Sequence, residues 1–414
     1  MKMMIYSDLE IFLCVCLYHY LKVLFEMSKS THIVPFVLGA AAALAIVSSG
    51  SLVSLIQRLW GRNKRDEKNS SFEALVGDTP LVRLNCLSDM LGCEVYGKAE
   101  FLNPGGSVKD RVALSIVKSV IQEGSKKRIY EGSSGSTGIS LTMASNAYGL
   151  ECVVFMPDDQ AKEKRDLITA LGGTVQLVRP MSIVDPQHMC KAAEKAAQED
   201  SLGIYANQFE NKLNFKTHYE STGLEILEQT NRRVNVFVAS AGTGGTVAGV
   251  AARLKVELGR RNVRVILADP QGSALANRIN GGVLFNVKDK EGHRVKHPFD
   301  TVTEGIGLNR LTDNFRIGVP FIDKAFTVTD EEAVQMSRFL LRKEGLFLGS
   351  SSAVNCACIV KAFKAGLIKK GDCVVTILCD SGNRHVSKFW NPEYLSPLGL
   401  DYGFTDQSPL EFIQ

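Results

Sequence analysis

The sequence has almost no net charge and no arrangement of cysteines that indicates a disulfide framework or a metal site. Its 48 Lys and Arg residues outnumber its 44 Asp and Glu residues by four, a surplus too small to favour nucleic-acid binding. The ten cysteines are scattered, and single cysteines in strands and helices usually behave as small buried hydrophobes. We therefore expect a reducing compartment, no bound metal and no nucleic-acid partner.

Arginine is absent before position 58, which argues against a mitochondrial matrix transit peptide. Residues 33–56 instead form a mostly apolar stretch of about 24 residues, long enough for a transmembrane helix. Four basic residues follow between positions 58 and 65, which predicts that the rest of the chain stays in the cytosol. The pattern indicates a single-pass anchor in the mitochondrial outer membrane, with the endoplasmic reticulum as the alternative.

The N-terminal region, which comprises the leader at residues 1–32 and the apolar stretch with its small residues at 40–45, allows three further interpretations. A cleaved secretory signal would expose the cysteines to oxidation, which argues against it. Met27 would be a reasonable start, in which case the preceding residues are not translated. A haem ligand among Cys14, Cys16 and His19 is less favoured than a packing or membrane-contact role. A basic, polar linker, residues 57–71, then joins the anchor to the main body.

Lys109 stands where a turn-rich segment passes into a predicted helix. Residues 103–111 read Asn-Pro-Gly-Gly-Ser-Val-Lys-Asp-Arg, and an apolar run follows at 112–117. A lysine is ordinarily a solvated surface charge, but at such a junction its amine can face inward. Desolvation lowers the pKa of an amine, and the neutral amine can form an imine with an aldehyde. Lys109 is therefore the candidate catalytic residue.

A glycine-rich loop is the second candidate segment, and it lies between a predicted strand (234–240) and a predicted helix (247–258). Glycines let N–H groups converge at a helix N-terminus, so we interpret the loop as a phosphate cradle. It lacks the lysine of a Walker-type loop, and Val247 stands where a dinucleotide fingerprint needs glycine. A nucleotide-binding oxidoreductase and a plain turn remain alternatives. The loop consists of Gly242, Thr243, Gly244, Gly245 and Thr246.

The third segment ends a β-branched strand, predicted at 374–378, with Cys-Asp-Ser-Gly. Ser381 therefore lies just beyond the carboxyl end of a strand, where open α/β sheets bind their ligands. Taken alone, such a serine is more often a simple turn residue. Ser381 becomes a candidate only in combination with the other two segments.

In this order the segments resemble the fold-type II pyridoxal-phosphate (PLP) enzymes, and within them the cysteine synthases and cystathionine β-synthases. A membrane-anchored fungal-type cysteine synthase is the nearest kind, and the similarity covers roughly residues 72–390. It includes Gly-Asp-Thr-Pro-Leu at 77–81, Lys-Ala-Glu at 98–100, Asn-Gln-Phe-Glu-Asn at 207–211, Thr-Gly-Leu-Glu-Ile at 222–226 and Thr-Glu-Gly-Ile-Gly at 303–307. The common order of these segments is far more specific than any one of them.

The resemblance implies a role for each segment. Lys109 would hold PLP through an imine, and would remove and return the substrate's Cα proton. The glycine-rich loop would bind the phosphate with backbone and hydroxyl donors. Ser381 would contact the pyridine nitrogen, and a neutral hydroxyl there favours loss of a β-leaving group over transamination. The implied reaction is β-elimination from O-acetylserine or a related activated serine, followed by addition of sulfide.

The resemblance also assigns substrate binding to residues 133–138, here called the hydroxyl loop. In the family this loop usually reads Thr-Ser-Gly-Asn-Thr-Gly, and here it reads Ser-Ser-Gly-Ser-Thr-Gly. Ser136 thus replaces the asparagine expected beside the PLP 3′ oxygen, which a shorter hydroxyl would reach through water or not at all. The implied cofactor contact is Ser136, and the implied substrate contacts are Ser133, Ser134, Gly135, Thr137, Gln208 and Gly305.

The implied architecture is a pair of α/β subdomains with mostly parallel sheets, as in the β-subunit of tryptophan synthase, behind an N-terminal transmembrane helix. Alternating β-branched and helical runs agree with it. We place the catalytic domain at 72–395, a smaller subdomain at about 110–220, and a tail at 396–414 that is too short for the regulatory domain of many cystathionine β-synthases. By resemblance, a homodimer is expected.

Several activities share these residues. The expected activity is formation of L-cysteine from O-acetylserine and sulfide. The alternatives are cystathionine formation with homocysteine, cysteine desulfhydration, and serine or threonine dehydration. A catalytically weak PLP-binding sensor is a further alternative, because Ser136 departs from the family's pattern.

Overall fold

Strands and helices alternate over residues 71–285, 301–400, 403–404 and 406–414, which are the residues described by this computed structural model. They include ten strands: β1 (Leu81–Arg83), β2 (Glu94–Ala99), β3 (Arg128–Gly132), β4 (Glu151–Pro157), β5 (Thr174–Val178), β6 (Gly203–Tyr205), β7 (Val236–Ser240), β8 (Arg264–Pro270), β9 (Lys324–Val328) and β10 (Cys373–Leu378).

The same residues form fourteen α-helices: α1 (Asn85–Leu91), α2 (Lys109–Glu123), α3 (Ser136–Ala147), α4 (Lys162–Ala170), α5 (Met189–Glu199), α6 (Leu213–Thr217), α7 (Gly223–Gln229), α8 (Gly245–Leu258), α9 (Leu275–Gly281), α10 (Asp313–Gly318), α11 (Asp330–Glu344), α12 (Ser350–Lys364), α13 (Pro392–Leu395) and α14 (Pro409–Phe412). A π-helical turn, His218–Thr222, joins α6 to α7. Short 3-10 turns lie at Glu73–Leu75, Glu100–Leu102, Val319–Phe321, Gly382–Arg384 and Ser396–Leu398.

The larger sheet has six strands in the order β1-β2-β10-β7-β8-β9, and only the β1–β2 pair is antiparallel. Its middle strands β10 and β7 pair Val374 with Val236, and every residue of both strands is buried. Strands buried on both faces read as continuous apolar runs, which explains their β-branched composition. Phe237 packs in a core with α8, whereas Val238 packs in a second core with α11 and α12, so helices cover both faces.

The smaller sheet has four parallel strands in the order β5-β4-β3-β6, all between residues 128 and 205. Its core joins Ile129 of β3 and Val154 of β4 to Val117 of α2 and Leu141 of α3. Strand β3 ends at Gly132, so the hydroxyl loop begins at the carboxyl edge of this sheet.

The mostly parallel α/β fold predicted from the sequence is confirmed. One predicted bound needs correction: the helix expected from Val247 begins at Gly245. The helix begins early because the last two residues of the glycine-rich loop form its first turn. Local propensity did not indicate this, since glycine and threonine are weak helix formers.

The chain ends are only partly described. Within the described residues, none of the helices has both the length and the apolar character needed to cross a bilayer. The predicted anchor at 33–56, the leader at 1–32 with Cys14, Cys16 and His19, and most of the linker lie outside those residues. At the other end, Ile413 of the tail is fully buried against the core that contains α11 and α12.

Candidate active site

Lys109 is the first residue of α2 and is held at the carboxyl end of β10. The Val108 N–H donates to the Cys379 carbonyl over 3.0 Å, and Ser107 pairs with Asp380 in an isolated β-bridge. Burial lowers the pKa of the Lys109 amine, and the nearby Cys379 and Asp380 oppose this effect only in part. A lower pKa favours the neutral form of a lysine amine, which can act both as a nucleophile and as a base.

Ser381 lies at the same strand end and offers a neutral hydroxyl. It is half-buried, and its Oγ accepts a hydrogen bond from the Asn383 N–H over 3.3 Å. The preceding Asp380 is engaged elsewhere, because its Oδ2 lies 3.1 Å from Nε2 of His385. Burial would raise the pKa of Asp380, but His385 and Arg384 outweigh it and hold the pKa at about 2. At this strand end, the Ser381 hydroxyl is therefore the group available to a ligand, because the Asp380 carboxylate contacts His385.

The glycine-rich loop connects β7 to α8 and has no room for side chains at its glycines. A Cβ on Gly242 would lie 2.1 Å from the carbonyl oxygen of Gly305, and a Cβ on Gly245 would lie 1.9 Å from Oδ1 of Asn214. Gly244 has φ 87°, a left-handed conformation that favours glycine. The loop thus places unobstructed backbone at the N-terminus of a 14-residue helix, which suits a phosphate.

The two threonines of this loop are fixed by neighbouring side chains. Nδ2 of Asn214 donates to Oγ1 of Thr243 over 2.8 Å and to the Gln208 carbonyl over 2.9 Å. Oγ1 of Thr246 lies 3.1 Å from Nε2 of His218, whose pKa burial lowers well below its ordinary value. Asn214 therefore ties the glycine-rich loop to the segment that carries Gln208.

The hydroxyl loop leads from β3 into α3 and begins with a tight turn. Oγ of Ser133 accepts from the Gly135 N–H over 3.0 Å, and Gly135 has φ 131°, which a side chain rarely tolerates. Ser136 and Thr137 are the first two residues of the twelve-residue helix α3. Ser134 and Ser136 are half-buried. The loop therefore offers N–H groups at a helix start, an arrangement suited to a carboxylate.

A buried carboxyl group, Glu131, supports this loop and was missed in the sequence, where only its place before the loop hints at it. The backbone N–H and Nε2 of Gln208 donate to the two Glu131 oxygens over 3.1 and 3.4 Å. Nε2 also donates to the Gly132 carbonyl, so Oε1 of Gln208 accepts from Thr137 over 2.5 Å. Burial raises the pKa of Glu131 to about 8, although the Gln208 donors oppose the rise.

We predict that Glu131→Gln makes the stability of the protein less dependent on pH. The folded pKa of about 8 lies above the ordinary 4.5, so the wild type loses stability as pH rises between these values. Glutamine cannot ionise, so the Tm of the variant minus that of the wild type should grow by at least a few degrees from about pH 5 to about pH 8. Thermal unfolding at both pH values measures this difference, and a constant difference would contradict it.

Asp110 links the turn-rich segment before Lys109 to the hydroxyl loop. The Gly105 N–H donates to its Oδ2 over 2.6 Å. Oγ of Ser140 contacts Oδ1 of Asp110 and lies 3.0 Å from the Ser136 carbonyl oxygen. Burial raises the pKa of Asp110 to about 6 against the opposing effect of Ser140 and Arg384. The start of α2 and the start of α3 are therefore held together by one carboxyl group and one hydroxyl.

Four of the segments that carried the resemblance meet in one buried ion-pair cluster. Arg111 donates to Glu100 over 2.7 and 2.8 Å and to Glu225 over 2.5 and 2.8 Å. Nζ of Lys98 lies 2.6 Å from Glu225 and donates to the Thr79 carbonyl over 2.5 Å. These four segments, which are far apart in the sequence, therefore meet around Arg111, which is two residues after Lys109 in the chain.

Gly305 lies between the glycine-rich loop and the hydroxyl loop. Its carbonyl oxygen faces Gly242, and a Cβ on it would lie 3.9 Å from Oγ of Ser134. The next glycine of this segment, Gly307, donates its N–H to the Ala241 carbonyl over 2.8 Å. Residues 303–307 therefore form one wall of the space between the two loops.

These contacts place all the predicted site residues in one connected set, and the set suits PLP. PLP has an aldehyde, a phosphate and a ring nitrogen, and the structure offers a desolvated amine at Lys109, a glycine cradle at 242–246 and a hydroxyl at Ser381. Its phosphate needs backbone N–H groups that it can approach closely, and the packing at Gly242 and Gly245 excludes side chains from these two positions. Across the part of the chain that the structure describes, His, Cys, Asp and Glu form no group suited to a metal ion.

We predict that Gly242→Ala weakens PLP binding. The added methyl group would collide with the Gly305 carbonyl, and forcing extra volume into a packed site costs about 1–3 kcal/mol, or about 5- to 150-fold in affinity. Titration of the cofactor-depleted protein with PLP, followed by visible absorption, measures the affinity. Gly281→Ala is the matched control, because nothing lies within 4 Å of a Cβ at Gly281. Equal affinities of the two variants for PLP would contradict the assignment of residues 242–246 as the phosphate cradle.

Comparison with known proteins identifies the family. Residues 72–380 match the family described as pyridoxal-phosphate dependent enzyme. Cysteine synthase 2 of Schizosaccharomyces pombe is 45% identical over 78% of this chain and 84% of its own. The "Putative mitochondrial cysteine synthase" of Saccharomyces cerevisiae is 45% identical over 77% of this chain and 83% of its own. The crystal structure of O-ureido-L-serine synthase is similar with TM-score 0.66 and 31% identity, over 82% of this chain and 98% of that one. The chain therefore belongs to the pyridoxal-phosphate dependent enzyme family.

Proposed function

We propose that this protein makes L-cysteine from O-acetylserine, or a related activated serine, and sulfide. Both yeast relatives are named cysteine synthases, and they match this chain over most of their length. The observation that carries the proposal is the pairing of a desolvated amine with a neutral hydroxyl. Lys109 and Ser381 are held at the same end of β10 by the contact between Val108 and Cys379.

Each candidate segment has one task in this proposal. The glycine-rich loop holds the PLP phosphate at the start of α8. The hydroxyl loop, with Gln208 and Gly305 beside it, would hold the carboxylate of the amino acid. Ser136 would be the residue beside the PLP 3′ oxygen, which its short hydroxyl would reach through water or not at all. Ser381 contacts the pyridine nitrogen without adding charge to it, which favours β-replacement over transamination.

When bound, PLP supplies an electron sink that makes the Cα–H bond of the amino acid acidic. Lys109 takes the Cα proton, the Cβ–O bond breaks, and acetate leaves with the bonding electrons. Hydrosulfide then forms a bond to Cβ, and Lys109 returns the proton to Cα. The exchange is redox-neutral and yields L-cysteine and acetate.

The test is product analysis with the full chain loaded with PLP. One reaction contains O-acetylserine and sulfide, and a parallel reaction contains O-acetylserine or serine and homocysteine. We expect L-cysteine in the first reaction at a rate well above that of cystathionine in the second. Faster cystathionine formation would replace the proposal with the cystathionine synthase alternative. Bound PLP without any product would leave the sensor alternative.

We further propose that residues 33–56 anchor the protein in the mitochondrial outer membrane with the catalytic part facing the cytosol. The apolar length, the basic residues after it and the name of the budding-yeast relative support this. Carbonate extraction should leave the full chain in the membrane fraction of mitochondria, and protease added outside should digest residues 72–395. Release by carbonate, protection from protease, or copurification with the endoplasmic reticulum would each contradict it.

The remaining organisation is proposed as follows. Residues 72–395 form the catalytic domain, with a smaller subdomain at about 110–220 that contains the four-stranded sheet. The usual state of the family suggests a homodimer. Light scattering of the detergent-solubilised full chain should give the protein mass of two copies, and a monomer mass would contradict the dimer.

A further inference from the structure

A buried carboxylate outside the assigned machinery, Glu304, gathers cations from separate parts of the fold. Its side chain is 6% exposed, and Lys164, which is 3% exposed, contacts its Oε2. The Ala161 N–H donates to its Oε1 over 3.2 Å, and Nζ of Lys388 lies 3.4 Å from the same oxygen. Nδ1 of His385 lies 3.5 Å from Oε2. A buried carboxylate with this many partners fixes the segments that supply them.

The chain of Lys164 runs over the turn of the hydroxyl loop. A Cβ built on Gly135 would lie 2.5 Å from Cδ and 2.8 Å from Cβ of Lys164. The methylene groups of Lys164 therefore pack on the Gly135 backbone, while its amino group reaches Glu304. A displacement of Lys164 would therefore also displace the Gly135 turn, from which the helix α3 starts.

Glu304 is also connected to the glycine-rich loop and to the strand end that carries Ser381. The next residue, Gly305, faces Gly242 of the glycine-rich loop, and the Glu304 N–H donates to Oγ of Ser350 over 3.2 Å. His385, between Glu304 and Asp380, joins the pair to the strand end that carries Ser381. Burial would raise the pKa of Glu304, but Lys164 and His385 hold it well below its ordinary value, so the Glu304 carboxylate is charged at neutral pH.

We propose that Lys164 and Glu304 are positioning residues that hold the hydroxyl loop against the glycine-rich loop and thereby set the affinity for the amino acid's carboxylate. This inference rests on the proposed function, because it concerns the same substrate. Neither residue touches the reacting atoms. Their effect passes through the Gly135 turn, where a small displacement moves the N–H groups that receive the carboxylate.

The test compares substitutions at Lys164 in the full, PLP-loaded chain. Lys164→Met keeps the methylene packing on Gly135 and removes the charge, and should raise KM for O-acetylserine about 10-fold while leaving KM for sulfide and the cofactor absorption unchanged. Lys164→Arg keeps the charge and should stay within about twofold of the wild type. Lys162→Met, on the same helix with a 68% exposed side chain, is the matched control and should change nothing.

A double variant tests whether Lys164 and Glu304 act as a pair. If Lys164 and Glu304 act as one unit, Lys164→Met with Glu304→Gln should raise KM for O-acetylserine no more than the more severe single variant. Equal rises in KM for both substrates, or a lower Tm with both KM values unchanged, would overturn the inference. Spectral titration with O-acetylserine reports affinity without turnover. A wild type that binds O-acetylserine but makes no cysteine therefore defeats the proposed function, and unchanged affinity in Lys164→Met defeats this inference alone.

Discussion

Replacing Lys109 with alanine is expected to lower cysteine formation by at least about 10²- to 10⁴-fold, the usual contribution of a positioned base. In the proposed mechanism, the variant loses both the amine that would link PLP and the base that would move the Cα proton. The fold should survive, because burial already disfavours the charged form of this amine. The rate of cysteine formation and the visible absorption of the purified protein together measure the loss.

A lysine elsewhere on the same helix provides the control for this variant. Lys118 lies in α2, its side chain is 44% exposed, and it pairs with Glu73 over 2.5 Å. Lys118→Ala should keep both the activity and the absorption of bound PLP. Wild-type activity in Lys109→Ala, or equal losses in the two variants, would show that Lys109 does not carry the chemistry.

The largest effect on stability is expected from Arg111→Met. Arg111 is 2% exposed, and its removal leaves Glu100, which is fully buried, without its cation. Breaking a buried ion pair on one side costs about 3–5 kcal/mol, which lowers Tm by about 5 °C in a protein of this size. Glu225 has its pKa held at about 2 against burial by Arg111 and Lys98, so its contribution is present above pH 4.5 and is lost as pH falls toward 2.

Arg128→Met is the matched control, since this arginine also bridges two carboxylates. It contacts Glu151 over 2.6 Å and Asp200 over 2.7 Å, but its side chain is 34% exposed. Solvent screens such pairs, so Arg128→Met should lower Tm much less than Arg111→Met does. Thermal unfolding of both variants gives the comparison. A smaller loss for Arg111→Met than for Arg128→Met would contradict the structural role of the buried cluster.

Local sequence patterns predicted the parts of the site that depend on a few neighbouring residues. The strand and helix around residues 242–246 and the helix that begins at Lys109 follow from glycine, proline and β-branched runs over short windows. Ser381 was ambiguous, because a turn and a ligand-binding strand end have the same composition. It became a candidate through the order of the segments, which local propensity does not contain.

The supporting residues could not be predicted because their partners are remote. Asp110 meets Ser140 across 30 residues, Gln208 meets Glu131 across 77, and Lys164 meets Glu304 across 140. A buried carboxyl group also has the same sequence signal as a solvated one, and only the packing around it shifts its pKa. The residues that contact cofactor and substrate in our proposal were therefore accessible from sequence, whereas those that position them were not.

The most direct test of the account is the location of the cofactor on the chain. Intact full-length protein with bound PLP is treated with borohydride, digested, and mapped by mass spectrometry. The account predicts that the reduced pyridoxyl group is found on Lys109 and on no other lysine. Its attachment to another residue, such as Lys98 or Lys164, or its absence from every peptide, would contradict the central claim.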